Sequence, residues 1–246
     1  MASPLAQFEI KKIIQLEIFG HDISFTNSSM AMTFTVLAII SFLYLGLRNL
    51  KIIPSKSQTL VESSYEFISS MISDNIGKEG MKYFSFILTL FLFILIGNLL
   101  GMMPYSFTWT SHIIVTFAIA FFIFLAVTFI AIYKHGLIKF LQFFAPAGVP
   151  KPMLILLVPI EIISYLSRPI SLSVRLFANM MAGHTLLKVI GSFVFVLGAN
   201  SFIIGGALPL AFLIALTGLE IVIAFLQAYV FAILTCLYIN DAIHLH

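Results

Sequence analysis

The sequence predicts an all-α membrane protein with about five membrane-embedded helices, one interfacial amphipathic helix, and a last pair of helices that are long and strongly oblique. Apolar residues make up 61% of the 246 residues, and the mean hydropathy is +1.10. Charged residues make up only 9%, whereas an average soluble domain has about 25%. Several uncharged apolar stretches reach the roughly 20 residues that a helical membrane span needs.

The composition also excludes several classes of protein. The 13 basic and 10 acidic residues cannot cover a soluble fold, and a net charge of +3 without long basic runs excludes nucleic-acid binding as the main role. A single cysteine, Cys236, excludes a disulfide framework and a cysteine-ligated metal site. The six histidines have no metal-ligand spacing, and no Walker, Rossmann or GxSxG pattern occurs, so we expect no metal and no cofactor.

Charges and prolines bound the first three spans within one membrane domain that covers the whole chain. The predicted spans are 30–47, 81–103 and 112–133. Arg48, Pro104 and Lys134 follow them directly. Residues 1–29 are mixed polar, so we expect an outer-side N-terminal segment rather than a cleavable signal peptide.

Residues 57–80 carry an amphipathic pattern. Val61, Tyr65, Ile68 and Ile72 recur at helical steps, with glutamates and serines between them. This pattern predicts a helix that lies along the membrane interface with its polar face in water. A helix packed on a soluble domain is the alternative, but the composition leaves no such domain.

The stretches 153–196 and 207–240 are too long for single upright spans. A helix over 153–196 would be about 66 Å long, roughly twice the ~30 Å thickness of the apolar slab. A split into two spans needs a polar turn, and the polar residues there follow helical spacing instead. We therefore predict two consecutive oblique helices that form a hairpin, with its turn at Gly198–Gly206.

Lysines and arginines set the predicted orientation. The turns at 104–111 and 197–206 carry none of them, whereas the loops after the first and third spans are basic. The basic residues of these loops are Arg48, Lys51, Lys56, Lys78, Lys82, Lys134, Lys139 and Lys151. Because Lys and Arg are enriched in cytoplasmic or matrix loops, we expect the N-terminus outside and the C-terminus inside.

Polar side chains form a stripe on the fourth long element. On a wheel of 100° per residue they fall within about 80°, over about five helical turns. The stripe consists of Glu161, Ser164, Arg168, Ser171, Arg175 and Asn179. His184 and Lys188 lie on the opposite face, and Glu220 and Gln227 share one face of the last element. Ionisable groups at membrane depth are costly, so the stripe is predicted to be functional.

Structural interpretations of the same residues stay open. Arg168 can reach water at the inner interface or pair with Glu161, and Arg175 can pair with Glu220. His184 can be a buried histidine with satisfied hydrogen bonds. An aromatic belt at the membrane interface is predicted from three neighbouring residues, Tyr105, Trp109 and His112.

The stretch from Ser167 to His184, SRPISLSVRLFANMMAGH, strongly resembles subunit a of F-type ATP synthases. Near the N-terminus, PLAQFEIKKI and DISFTNSSM are similar to the alphaproteobacterial and mitochondrial branch of that family. The stretch GNLLGMMPYSFTWTSH resembles the family's loop after the second span, and LEIVIAFLQAYVFAILTCLYINDA resembles its last helix. The resemblance covers nearly the whole chain.

The resemblance implies that Arg175 is the essential arginine facing a ring of c subunits. Asn179 lies one turn further along the same face, and Gln227 approaches the arginine from the last helix. His184 and Glu220 are implied to line the proton path from the outer side. Their order is the reverse of the acid and histidine in many bacterial members, but one acid and one histidine remain for a relay.

Three further residues are implied to lie on the proton path. Glu161 is expected on the path to the inner side, and Asp241 at the end of the last element is another candidate. Asn98 is the main polar group near Gly101, where some family members carry a carboxylate.

Residues and resemblance together predict a non-catalytic proton-translocating subunit of the rotary ATP synthase. Two offset half-channels and Arg175 are expected to couple proton passage to rotation of the c-ring, while other subunits carry the ATP chemistry. The implied partners are the c-ring, the peripheral-stalk b subunits and the rest of the F1Fo complex, in an energy-transducing inner membrane. The alternative is a secondary ion-coupled transporter, although no inverted repeat is visible. An intramembrane enzyme would need a Ser/His or metal constellation, which we do not find.

Overall fold

The computed structural model describes most of the chain as α-helix. The described residues are 9–15, 17–18, 21–22, 24–48, 50–103, 107–144, 151–200 and 202–244. Seven helices occur among them: α1 Asn27–Leu47, α2 Lys56–Asn75, α3 Phe84–Gly101, α4 Ile113–His135, α5 Leu137–Phe143, α6 Lys151–Asn200 and α7 Phe202–Ile243. Two 3-10 turns, Lys78–Tyr83 and Trp109–Ser111, precede α3 and α4.

Five helical segments of the described chain are long and apolar enough to cross a membrane, by length and composition. They are Asn27–Leu47, Lys78–Gly101, Ile113–His135, Met153–Gly198 and Gly206–Ile243. These segments match the five predicted elements, with ends that differ by a few residues. The prediction of an all-α, multi-pass membrane protein is thereby confirmed.

The N-terminal segment contains short strands that the sequence did not predict. Strands β1 (Lys12–Ile14) and β4 (Phe25–Thr26) pair antiparallel, as do β2 (Glu17–Ile18) and β3 (His21–Asp22). Strands of two or three residues are too short to show alternation between apolar and polar positions. The Asn27 side chain ties the segment to the start of α1, because its Nδ2 donates to the Glu9 carbonyl at 3.0 Å.

Contacts divide the chain into two compact units. Unit 1 comprises Met1–Val61, Phe91–His112 and Leu176–Tyr229. Unit 2 comprises Glu62–Leu90, Ile113–Arg175 and Val230–His246. Helices α6 and α7 each contribute residues to both units, so each unit is described separately below.

Helix α6 is one continuous helix of 50 residues that includes Pro159 and Pro169. Each proline removes one backbone hydrogen bond, a loss that long membrane helices tolerate where other groups satisfy the freed carbonyl. The prediction of one long helix rather than two spans is confirmed. At about 75 Å it exceeds the apolar slab more than twofold, and its oblique inclination stays a prediction.

The turn between the last two helices is tighter than predicted. Helix α6 ends at Asn200 and α7 begins at Phe202, so the helices extend into the predicted turn at Gly198–Gly206. A side chain on Gly206 would place its Cβ 3.2 Å from the Gly198 Cα. The two glycines therefore let the helix backbones approach closely just before and just after the reversal.

Helix α2 has the predicted amphipathic pattern but ends earlier than residue 80. Gly77, with a φ of +82°, follows its last turn, and such a backbone conformation favours glycine. In unit 2, Ile68 and Ile72 are fully buried, whereas Tyr65 stays half exposed and packs on Phe84 with ring centroids 4.6 Å apart. The apolar face thus packs on protein, and the interfacial position of its polar face stays a prediction.

The prediction that Trp109 belongs to an aromatic belt at the membrane interface is wrong. Its side chain is only 1% exposed, and its Nε1 donates to Thr35 Oγ1 at 3.2 Å. Its ring packs directly on Gly97, where any side chain would clash with the indole. This tryptophan is buried because its ring fits the space beside Gly97 and Thr35 accepts the hydrogen bond from its indole N–H. His112 packs on Phe107 instead, and Tyr105 lies outside the described residues.

Candidate functional site

Unit 1 brings together the histidine and the acid that the sequence placed on neighbouring helices. His184 lies on α6 and Glu220 on α7, with 3.7 Å between Nδ1 and Oε1. Their side chains are 11% and 6% exposed. Gly183 makes this approach possible, because a Cβ at that position would lie 2.7 Å from Glu220 Oε1.

Neither carboxylate oxygen of Glu220 has a hydrogen-bond partner among the described residues, although both are buried. A buried carboxylate without partners is costly, so the group needs a proton or a donor within reach. His184 is the ionisable neighbour that can exchange a proton with it. The pair is therefore a site at which a proton can change place inside the membrane domain.

A large cavity in unit 1 reaches His184. Its volume is about 1430 Å³, and His184 and Lys188 of α6 form part of its wall. Glu9 and Lys11 of the N-terminal segment also line it. His184 therefore shares a cavity with the segment that is predicted to lie on the outer side.

The second nitrogen of His184 contacts a residue that the sequence analysis missed. Thr108 Oγ1 lies 3.2 Å from His184 Nε2, and it donates to the Gly101 carbonyl at 3.0 Å. Thr108 is 76 residues away from His184 in sequence. A threonine in a loop gives no signal of its own, so only the fold reveals this contact.

Asn98 is buried in unit 1, as expected for a polar residue on a membrane span. Its Nδ2 donates to the Ala224 carbonyl at 3.4 Å, one turn along α7 from Glu220. Its Oδ1 has no hydrogen-bond partner in the described part of the chain. Asn98 therefore links α3 to the helix that carries the acid.

In unit 2, Arg168 pairs with Asp241 rather than with Glu161, which corrects one structural interpretation. The guanidinium Nη1 lies 3.0 Å from Asp241 Oδ2. It also lies over two rings, 5.3 Å from the centroid of Tyr165 and 4.9 Å from that of Tyr238. An arginine held by a carboxylate and two aromatic faces is anchored in the protein and does not extend freely to the interface.

Arg175 is in a different situation. It is exposed on α6, one turn after Ser171, which is exposed on the same face. In the described part of unit 2 no carboxylate pairs with it, because Asp241 already binds Arg168. The third arginine of the chain, Arg48, lies at the end of α1 with its guanidinium 5.9 Å from the Tyr44 ring centroid.

The remaining predicted residues lie along the same two helices. Glu161 and Asn179 are half-buried on α6, two turns before Arg168 and one turn after Arg175. Gln227 is 8% exposed on α7, two turns beyond Glu220. Glu161 forms no ion pair within the described part of unit 2.

Comparisons with known proteins agree on one family. The family model described as "ATP synthase A chain" matches residues 29–240. The "ATP synthase subunit a" of Pelagibacter ubique is 57% identical over 245 residues, which cover 99% of this chain and 98% of that protein. The "ATP synthase subunit a" of Allorhizobium ampelinum is 56% identical over 98% of this chain and 97% of that protein. That of Rhodospirillum rubrum is 54% identical over the full length of both chains. A family match over most of the chain and relatives that are similar from end to end show that this protein belongs to the ATP synthase A chain family.

Proposed function

We propose that this chain is the stationary proton-conducting subunit of a rotary ATP synthase and that it carries no ATP chemistry itself. Two offset half-channels lead protons to and from a rotating ring, and Arg175 separates them. The observation that carries this proposal is the exposed guanidinium of Arg175 on the polar stripe of α6, which forms no ion pair with a described residue. The family assignment supports the role in proton translocation.

Arg175 needs a carboxylate from a partner chain. A cation exposed on a membrane helix is costly unless a counter-charge answers it, and Asp241 is already bound to Arg168. A ring of c subunits, each with one membrane-buried acid, provides that charge. Attraction by Arg175 keeps a passing acid ionised and blocks direct proton transfer between the half-channels. Asn179 and Gln227 flank the arginine in this proposal.

The outer half-channel runs from the cavity to His184 and Glu220. His184 accepts a proton from the cavity and passes it to Glu220, which delivers it towards the ring. An imidazole suits this step because its two charge states have similar free energies near neutral pH. Each proton that crosses contributes about 2.3 kcal/mol per 100 mV of membrane potential.

The inner half-channel involves Glu161 and Asp241. The Arg168 pair fixes Asp241 at the end of α7, and Tyr165 and Tyr238 hold the arginine. Asn98 stabilises α7 beside Glu220 through its bond to Ala224. We assign Arg168 and Asp241 to the wall of the inner path and Asn98 to the wall of the outer path, where they orient the helices that carry the exchanging groups.

The complete assembly also involves the peripheral-stalk b subunits and the remaining F1Fo subunits. The membrane is an energy-transducing inner membrane. The N-terminus lies outside and the C-terminus on the cytoplasmic or matrix side, as the positions of the basic residues favour. The cavity lined by Glu9 and Lys11 then opens on the side from which protons enter during ATP synthesis.

Purification in mild detergent tests the assignment to a rotor–stator complex. We expect the tagged chain to elute as a large complex that contains a ring of small subunits with one buried acid each and an ATP-hydrolysing head. An untagged strain is the control for adventitious binding. A chain that elutes alone and transports ions alone in vesicles would instead support the secondary-transporter alternative.

Gly183→Ala is expected to slow proton flux severalfold without loss of assembly. The new methyl group meets the Glu220 carboxylate, which is the end of a flexible side chain and therefore moves away from its position beside His184. Passive flux in vesicles whose complexes have lost the ATP-hydrolysing head measures the effect. Gly218→Ala is the matched control, since a Cβ there meets no atom within 4 Å. Equal flux in the Gly183 and Gly218 variants would contradict the prediction.

A further inference from the structure

The hydroxyl group of Thr108 lies between a backbone carbonyl and the imidazole of His184. It is 3.0 Å from the Gly101 carbonyl oxygen and 3.2 Å from His184 Nε2. Thr108 is only 5% exposed, so bulk water does not compete freely for these contacts. Both contacts lie within unit 1.

The Gly101 carbonyl determines the direction in which the Thr108 hydroxyl group donates its hydrogen bond. A hydroxyl has one proton to donate, and a carbonyl oxygen can only accept. The Thr108 hydroxyl group therefore donates its hydrogen bond to the Gly101 carbonyl, and its oxygen is left to accept a hydrogen bond from His184 Nε2–H. In neutral His184 this places the ring proton on Nε2 and leaves the lone pair on Nδ1, the nitrogen 3.7 Å from Glu220 Oε1.

We propose that Thr108 is a positioning residue of the relay: its hydroxyl group holds the Nε2 proton of His184 in both charge states, so that the proton exchanged with Glu220 is always the one on Nδ1. This inference rests on the proposed function of the pair. In the exchange the Nδ1–H bond breaks and its electron pair stays on nitrogen. The proton forms an O–H bond on Glu220, so the imidazolium and the carboxylate both become neutral.

Two features of the fold hold Thr108 in this position. Gly101 has no side chain, and a Cβ there would lie 2.8 Å from Thr108 Oγ1 and 2.6 Å from its Cγ2. The Ser111 Oγ donates to the Thr108 carbonyl at 2.6 Å, and the Ser111 backbone N–H donates to it at 3.2 Å. The hydroxyl thus lies on a fixed backbone, in space that only a glycine at position 101 leaves open.

No other group near His184 on its own helix performs this role. Lys188, one turn further along α6, offers only donors and cannot accept the Nε2 proton. Glu220 lies on the Nδ1 side of the ring. Thr108 therefore determines which tautomer His184 adopts. The hydrogen-bond partner of one ring nitrogen commonly has this effect on a histidine.

The test compares Thr108→Val, which removes the hydroxyl group at similar volume, with Thr108→Ser, which keeps it. The complete complex is labelled with 15N-histidine and reconstituted into vesicles, and the His184 signals are assigned by their loss in His184→Gln. We expect the Nε2–H tautomer in the wild type and in Thr108→Ser, and a mixture of tautomers in Thr108→Val. Proton flux should fall about fivefold in Thr108→Val, the effect of one lost neutral hydrogen bond, and recover in Thr108→Ser.

The outcomes separate this inference from the proposed function. If His184→Gln conducts protons normally, the relay itself is wrong. If His184→Gln is slow but Thr108→Val keeps the wild-type tautomer and flux, only the role of Thr108 is overturned. The wild-type spectrum is decisive even where Thr108→Val fails to assemble, since a neutral His184 with its proton on Nδ1 would contradict the inference.

Discussion

Glu220→Gln is expected to lower proton flux about a hundredfold while the complex still assembles. A glutamine nearly matches the shape of the buried carboxylic acid beside Gly183, but its amide cannot release and regain a proton. The loss of a positioned proton-transfer group costs about two orders of magnitude or more. The ionisable partner of Glu220 among the described residues is His184, whose Nδ1 lies 3.7 Å from Oε1. The substitution therefore breaks no strong structural contact.

Flux is measured from the decay of an imposed pH gradient in vesicles whose complexes have lost the ATP-hydrolysing head. Glu66→Gln is the matched control, because it makes the same chemical change at an exposed position of α2. Subunit composition of the purified complex tests assembly. Unchanged flux in Glu220→Gln would remove this residue from the proton path.

Composition predicted most of the fold, because a membrane imposes length and polarity on each span. The continuity of α6 followed from the spacing of its polar residues, which leaves no turn between two spans. The N-terminal strands were missed because strands of two or three residues leave no periodic pattern. Trp109 was misplaced because its slot depends on Gly97, a residue of another helix.

The candidate site, too, was predicted from the sequence only in part. His184 and Glu220 were expected on neighbouring helices, and the structure places them 3.7 Å apart. The sequence offered Glu161 as a partner of Arg168, because the two residues share one face of the helix, and contact with water at the inner interface as the alternative. Asp241 is the partner because the fold brings the end of α7 to that arginine, 73 residues away in sequence. A contact between segments that are far apart in the sequence depends on the tertiary structure, and a local sequence pattern does not predict it.

Arg175→Ala is expected to lower coupled ATP synthesis at least about a hundredfold and to leave a passive proton leak. The cation that holds the rotor acid in its charged form is lost, so rotation no longer follows from proton entry. The barrier between the half-channels is lost as well, which lets protons pass without rotation. An assembled complex that conducts protons but makes no ATP would show that Arg175 acts in coupling and not in assembly.

Arg175→Lys is not expected to restore synthesis. An ammonium is a compact, strongly hydrated point charge, and it lacks the planar fork with which a guanidinium binds a carboxylate. Arg48→Ala is the matched control, because that arginine lies at the end of α1 outside the proposed path. Its synthesis rate should stay close to that of the wild type.

The most direct test of the rotor–stator account is the rate of ATP synthesis in vesicles that contain the complete Arg175→Ala complex, driven by an imposed pH gradient and membrane potential. Assembly is verified by subunit composition, and the leak is recorded in the same vesicles. The account predicts synthesis at background level despite an assembled complex. Synthesis at the wild-type rate would contradict it.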